Sequence, residues 1–457
     1  MKNLTILVLF LISLPTFAAK YGADKIKKFK WKDLEVVWIE DERFPTYVMS
    51  VYFADGALSD ADNEKGVTNA MFGMLNAGTR RYSQKDISDN LEFYGASYSG
   101  NVTHEYSTYS VSGLIKDSVP TMKKICHLFQ DATFPKKEIK KEVKRSLDSF
   151  RNLVDSHGSL ASMAFRQISL EGSPYAYPTG GKMKDVRRLN QKALRKKLAY
   201  FNTQVKKRIY IAGPKEVLNL EKVITEDCKW SGQGQVVRKT DYKPVSNDSA
   251  KAKITLVTVP KANQAQVRVG RFLNKGEYEN RELLSFASEF LGGGFTSKLM
   301  RELRVKRGLT YTVSAFAAGQ RGYGRAGIST FTKNQTVEEL LEVTKATIDQ
   351  IVAGTYPPHE LARSRGSLSG SYPFRFEVTG AYLSQLLFLD HLEASYDELY
   401  EFQKRVAAID AATVNKSVKD IFGWGKQSIV IIGSPALAKG LRAKFGKIRV
   451  VSYKNFL

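Results

Sequence analysis

Arg304 and Tyr311 flank a turn between a helical and a strand-like segment. A guanidinium fork beside a phenol hydroxyl can hold a carbonyl or a carboxylate. Both stand in the stretch 291–313, LGGGFTSKLMRELRVKRGLTYTV. Its glycine run, Gly292, Gly293 and Gly294, leads into Phe295 and lets backbone approach a ligand closely. On spacing alone the same residues also make an ordinary glycine-closed turn with a solvated Arg and a core Tyr. The five histidines, His104, His127, His157, His359 and His391, offer no pair three or four residues apart. No two of them can therefore bind one metal from a single helix face, and no catalytic metal is expected in this chain.

The elements that must position these groups can be read from periodicity and turn residues. A helix is expected over 298–306, ended by Gly308, with a strand from Thr310. In the first half, strands are expected at 35–39, 47–54, 96–114 and 205–212. Helices are expected at 67–76, from the Ser83 cap to Tyr94, at 119–129 and from Pro135 towards Val154. His104 and Glu105 read as a strand-surface pair, and His391 sits in an amphipathic helical pattern. The second half repeats the first. Phe134-Pro135-x-x-Glu138 returns as Tyr356-Pro357-x-x-Glu360, 222 residues on. Ile211-Ala-Gly213-Pro214 returns as Ile431-Ile-Gly433-Ser-Pro435, with the glycines 220 apart. An internal duplication follows, each copy of domain size. Each half mixes an antiparallel sheet with segregated helices, so the class is α+β.

The 457 residues suffice for two such domains. Residues 1–18 read as a secretory signal: Lys2, an apolar run over 4–14, and small residues ending at Ala18. The remaining division is 19–229, a polar linker over 230–249, and 250–457. An exported, periplasmic protein is expected, without a transmembrane segment once the signal is removed. Cys126 and Cys228 are compatible with one disulfide or with two buried thiols. The net charge of +24 is spread over helix faces, as at Lys136, Lys140, Arg187 and Lys196, and reads as a basic coat. Nucleic acid is not an expected partner of an exported chain.

The stretch 291–313 resembles the C-terminal signature of the pitrilysin and insulinase peptidase family, LGGGxxSRLxxxLREKRGLxYxV. Lys298 stands where that pattern has Arg, and Val305 where it has Glu. The resemblance implies two homologous halves closing as a clamshell around an extended peptide. It also implies an inverted zinc motif, H-x-x-E-H, early in the first half. Met74 to Thr79 match the end of that motif, which puts its two His positions at Asn69 and Gly73 and its Glu at Phe72. The later metal-binding Glu would fall near Ser149 or Phe150, with Glu138 and Glu142 upstream. The family includes pairs in which one subunit carries zinc and the other supplies an Arg and a Tyr. By that resemblance this chain is the non-catalytic subunit of a heterodimeric metalloendopeptidase, not catalytic alone. Arg304, Tyr311 and 292–295 would position peptide substrate, with zinc in the partner. The peptide would add to the strand 96–102. The competing reading is a non-enzymatic scaffold or peptide-binding protein of the same fold.

Overall fold

The computed structural model describes residues 25–236 and 253–457. Among these residues, the first half holds strands β1 (Ile26–Trp31), β2 (Leu34–Glu40), β3 (Thr46–Phe53), β4 (Ser97–Val102), β5 (Ser107–Leu114) and β6 (Lys207–Gly213). The second holds β7 (Lys253–Thr258), β8 (Gln264–Leu273), β9 (Val313–Gly319), β10 (Gly324–Lys333), β11 (Ser428–Gly433) and β12 (Arg449–Ser452). The sheet orders are β1-β2-β6-β3-β5-β4 and β12-β7-β11-β8-β10-β9. Without β1 and β12 the two orders superimpose strand for strand, so the halves are copies of one α+β unit. The sheets are mixed rather than wholly antiparallel. β6 returns after a long helical excursion and lies parallel to β2, as β11 does to β7. β4 and β9 are matching edges of the two sheets, whose other edges are β1 and β12.

Helices cover one face of each sheet. In the first half these include α1 (Val67–Gly73), α2 (Gln84–Phe93), α3 (Ser118–Asp131) and α4 (Lys136–Asn152). Phe53 of β3 meets Phe72, Phe129 and Phe201 in one buried aromatic cluster on this face.

The opposite faces are covered by exchange. Helix α5 (His157–Ser169), from the first half, packs on β8 and β11 of the second sheet. Its Phe165 fits a hollow made by two glycines: a Cβ on Gly270 would stand 2.6 Å from that ring, and one on Gly327 3.1 Å. Helix α6 (Thr379–Leu392), from the second half, packs on β3 and β6 of the first sheet. Its Leu383, Leu386 and Leu387 bury against Val37, Ile39, Tyr210 and Ala212. The two helices begin at His157 and Thr379. The shift, 379 − 157 = 222, is the period already visible in the sequence.

Several expectations need adjustment. Residues 96–114 form two strands, because Thr103 closes a turn: its N–H donates to the Tyr106 carbonyl at 2.9 Å, and its hydroxyl accepts from the Tyr106 N–H at 3.0 Å. His104 and Glu105 sit on that turn and are buried between the halves, not on a strand surface. His391 is buried as well, packed against Tyr52 and Tyr106 and bonded to Glu105. Cys126 and Cys228 form a disulfide that ties α3 to the end of the first half. The described part of the expected linker, 230–236, lies on the first half: Trp230 is buried in its core and Gln235 bridges to Val205. The expected signal, 1–18, and the rest of the expected linker lie outside the described residues.

Candidate functional site

The stretch 291–313 begins at the end of helix α7 (Arg281–Gly292), capped by Asn280, whose carboxamide accepts from the Leu283 N–H. Gly292 is buried against β9, where a Cβ would stand 2.7 Å from the Ala315 nitrogen. Its smallness is needed for this helix-strand contact. Gly293, Gly294 and Phe295 lie further out, and Phe295 is 75% exposed. The expected helix runs over 298–305: it opens in α geometry at Lys298 and Leu299 and passes into a wide π-type turn, Met300–Val305, in which the Lys306 N–H reaches back to the Arg301 carbonyl. Gly308 then adopts φ +61, a left-handed conformation that glycine takes without strain. The strand begins at Val313 rather than Thr310, because the Thr310 hydroxyl donates to the Thr312 carbonyl and holds the chain in a tight turn.

Charges in this stretch are almost all committed. Lys298 and Glu360, both buried, pair at 2.7 Å, and Arg301 joins the same carboxylate. Lys306 and Arg307 share Glu302 at 2.7 and 2.9 Å. Burial would raise the Glu302 carboxyl, but hydrogen bonds from Lys306 and Arg307 outweigh it and hold the group below its ordinary range. Arg304 is different. Among the described residues it makes no ion pair, and its guanidinium lies 4.5 Å from the Tyr311 ring centre and 5.5 Å from that of Phe295. Tyr311 is 71% exposed. Two rings thus hold a planar cation in place, each such contact contributing about 0.5–1 kcal/mol at an exposed site, while its donors stay available.

The residues expected at the zinc positions lie on α1. Asp60 holds the N-terminus of this helix, its carboxylate accepting from the Gly66 N–H at 3.0 Å and pairing with Lys197 at 3.0 Å. Asn69 and Gly73 are exposed on one face, a turn apart. Phe72 is buried, with Gly100 of β4 directly over it: a Cβ there would come within 2.9 Å of the Phe72 Cβ. An amide, a hydrogen and a phenyl ring do not fit a zinc site, and a ring locked among three others cannot act as a base. Glu138 and Glu142 on α4 pair with Lys141 and Arg145. Ser149 is exposed and Phe150 half-buried. Among the described residues no cluster of three or more His, Cys, Asp or Glu side chains is arranged to hold a metal. No hydrogen bond, ion pair or ring contact joins Arg304 or Tyr311 to α1 among those residues.

Sequence reasoning missed a buried polar network between the halves. The Glu105 carboxylate accepts from the Tyr175 hydroxyl at 2.7 Å and from His391 Nε2 at 3.1 Å. His391 Nδ1 in turn lies 3.0 Å from the Tyr52 hydroxyl. Burial holds His391 neutral, so Nε2 carries the proton it donates and Nδ1 accepts. Burial also works to raise Glu105, but the donors win and it stays ionised. His104 is pushed down to about 4 by burial, and its Nε2–H donates to the Tyr177 carbonyl at 2.8 Å. The adjacent polar pair His104-Glu105, in a pattern otherwise apolar on alternate residues, was the available signal.

Residues 35–179 match the family described as Insulinase (Peptidase family M16), and residues 208–368 match the Peptidase M16 inactive domain. The chain is similar to an uncharacterized zinc protease of Streptomyces coelicolor, 20% identical over 83% of each chain. It is also similar to the non-peptidase homolog YmxG of Helicobacter pylori, 21% identical over 76% of this chain and 80% of that one. Among solved structures, a peptidase M16 inactive domain from Pseudomonas fluorescens covers 90% of this chain and 98% of its own, with TM-score 0.79 and 20% identity. A protease from Helicobacter pylori gives TM-score 0.76 at 14% identity over 90% of this chain and 99% of its own.

Proposed function

The chain belongs to the M16 (insulinase) peptidase family, and from that premise we propose that it is an inactive-type member that holds peptide for a zinc-bearing partner of the same family. One observation carries this reading. Arg304 alone among the basic residues of 291–313 that follow the glycine run is kept out of ion pairs, held between two exposed rings, while Phe72, at the position the family resemblance gives to the catalytic base, is buried. Its basic neighbours Lys298, Arg301, Lys306 and Arg307 each find a carboxylate.

In this role Arg304 and Tyr311 donate hydrogen bonds to a peptide carbonyl and stabilise the negative charge that builds on it during cleavage. The free edge of β4 pairs with the peptide backbone. The disulfide supports placement in an oxidising compartment such as the periplasm.

The test is reconstitution. The protein is captured natively from the cell envelope, and a partner bearing H-x-x-E-H is sought at equal stoichiometry with bound zinc. Arg304→Ala is then expected to lower kcat/KM of the pair by about 100-fold, and Tyr311→Phe by about 10-fold, without dissociating it. Absence of such a partner, or unchanged turnover in both variants, would leave the scaffold reading in place.

A further inference from the structure

The two halves leave a cavity of about 530 Å3 between them. Val102 and Thr103, where β4 ends, form part of its wall, and the loop 178–180 forms another part. That loop reaches α1: a Cβ on Gly180 would stand 3.5 Å from the Asn69 amide nitrogen. The cavity therefore extends the edge of β4 and borders the exposed face of α1.

Its charges are unbalanced. Arg166 of α5 and Arg325 of β10 both line it, and neither makes an ion pair among the described residues. The Arg325 guanidinium lies 5.6 Å from the Phe165 ring centre and 5.3 Å from that of Phe316. Its Nη1 is buried with no hydrogen-bond partner. Burial first, and Arg166 second, pull Arg325 down to about 10. Glu105 also lines the cavity, but its carboxylate is committed to Tyr175 and His391, and Arg321 adds to its stabilisation. His104 is neutral. Two guanidinium groups facing one space, one with an unsatisfied buried donor, destabilise the empty cavity and favour an anion in it.

We propose that this cavity is the anion subsite of the peptide groove and receives the carboxylate side chain of an extended acidic peptide paired to β4. The inference rests on the peptide-holding reading above. A peptide added to β4 in either direction runs past Val102 into the cavity. A carboxylate matches two guanidinium forks, which bind it bidentately. The net charge of +24 steers acidic chains towards the molecule.

The experiment uses the full chain and two capped, fluorescent ten-residue peptides that differ only in three Glu-to-Gln replacements, read by anisotropy. Inorganic phosphate is tested alongside by thermal shift. The Glu peptide is expected to bind at least about tenfold tighter than its Gln counterpart. Arg325→Met, which keeps the buried stem, and Arg166→Gln, at a half-exposed position, should each bring that ratio towards one. Arg304→Ala should weaken both peptides alike. Equal binding of the two peptides, or a ratio unchanged in both cavity variants, overturns the subsite. If neither peptide binds but phosphate stabilises the wild type and not the variants, the groove reading fails and the anion site stands. If neither peptides nor phosphate register, the subsite itself is refuted.

Discussion

Arg304 keeps its donors available because its flat cation is satisfied by ring faces instead of by a carboxylate. That arrangement depends on planarity. Arg304→Lys keeps the charge but loses the fork and the stacking surface, so kcat/KM of a reconstituted pair should still drop by about tenfold. A Lys variant as active as the wild type would reduce the role of Arg304 to net charge. His104 supports a prediction of a different kind. Its folded value, about 4, lies below the ordinary histidine value of 6.5. The unfolded chain therefore binds more protons between those values. The contribution of His104 to stability is full above pH 6.5 and is lost as pH falls towards 4, by about 3 kcal/mol in all. Urea titrations from pH 7.5 to 4 should show that loss, and His104→Asn should flatten the profile. None of this could be read from the sequence, where His104 looks like a surface residue on a continuous strand. Burial of the 103–106 turn comes from the second half of the chain, which no local pattern reports. Arg304 and Tyr311, by contrast, could be singled out because they belong to a long motif read in register; the structure adds that the guanidinium lies 4.5 Å from the ring centre.

At the scale of elements, α1 is a core helix. Phe72 lies between the aromatic cluster and β4, so introducing a carboxylate with Phe72→Glu, at the position the resemblance gives to the motif's acidic residue, should destabilise the fold by about 4 kcal/mol or unfold it. Phe72→Leu should cost only about 1–2 kcal/mol. A stable, soluble Phe72→Glu protein would show that α1 is looser than its packing indicates. On the other half, α5 depends on the hollow for its ring. Gly327→Val should displace Phe165 and cost about 2–3 kcal/mol by overpacking, measurable as a fall in the urea midpoint. The strand and helix pattern of the first half was readable from alternation and 3.6-residue spacing. The π-type turn over Met300–Val305 was not, since its residues have ordinary helix propensity.

At the scale of the molecule, the duplication was visible as a repeat in sequence, but the exchange of helices was not. An apolar helix face does not say which sheet will cover it. The exchange predicts that a protease site inserted within 237–252 and cut would leave two fragments that still co-elute in gel filtration. Separation of the fragments without denaturant would mean the exchanged helices contribute little to holding the halves together. The disulfide acts within one half and spans 102 residues of chain. Cys126→Ala with Cys228→Ala should cost about 3–5 kcal/mol, mostly by releasing the unfolded chain.

The exchange also governs how the protein is made. The first sheet is complete once β6 has left the ribosome, yet the face that α6 covers stays bare until Thr379–Leu392 is synthesised. At ordinary elongation rates that interval is roughly 10–30 s. Through it, a nascent chain presents Val37, Ile39, Tyr210 and Ala212 to solvent, and α5 has no sheet to cover. A holding chaperone, or a translocation machine that keeps the chain unfolded until its end has emerged, would bridge this gap.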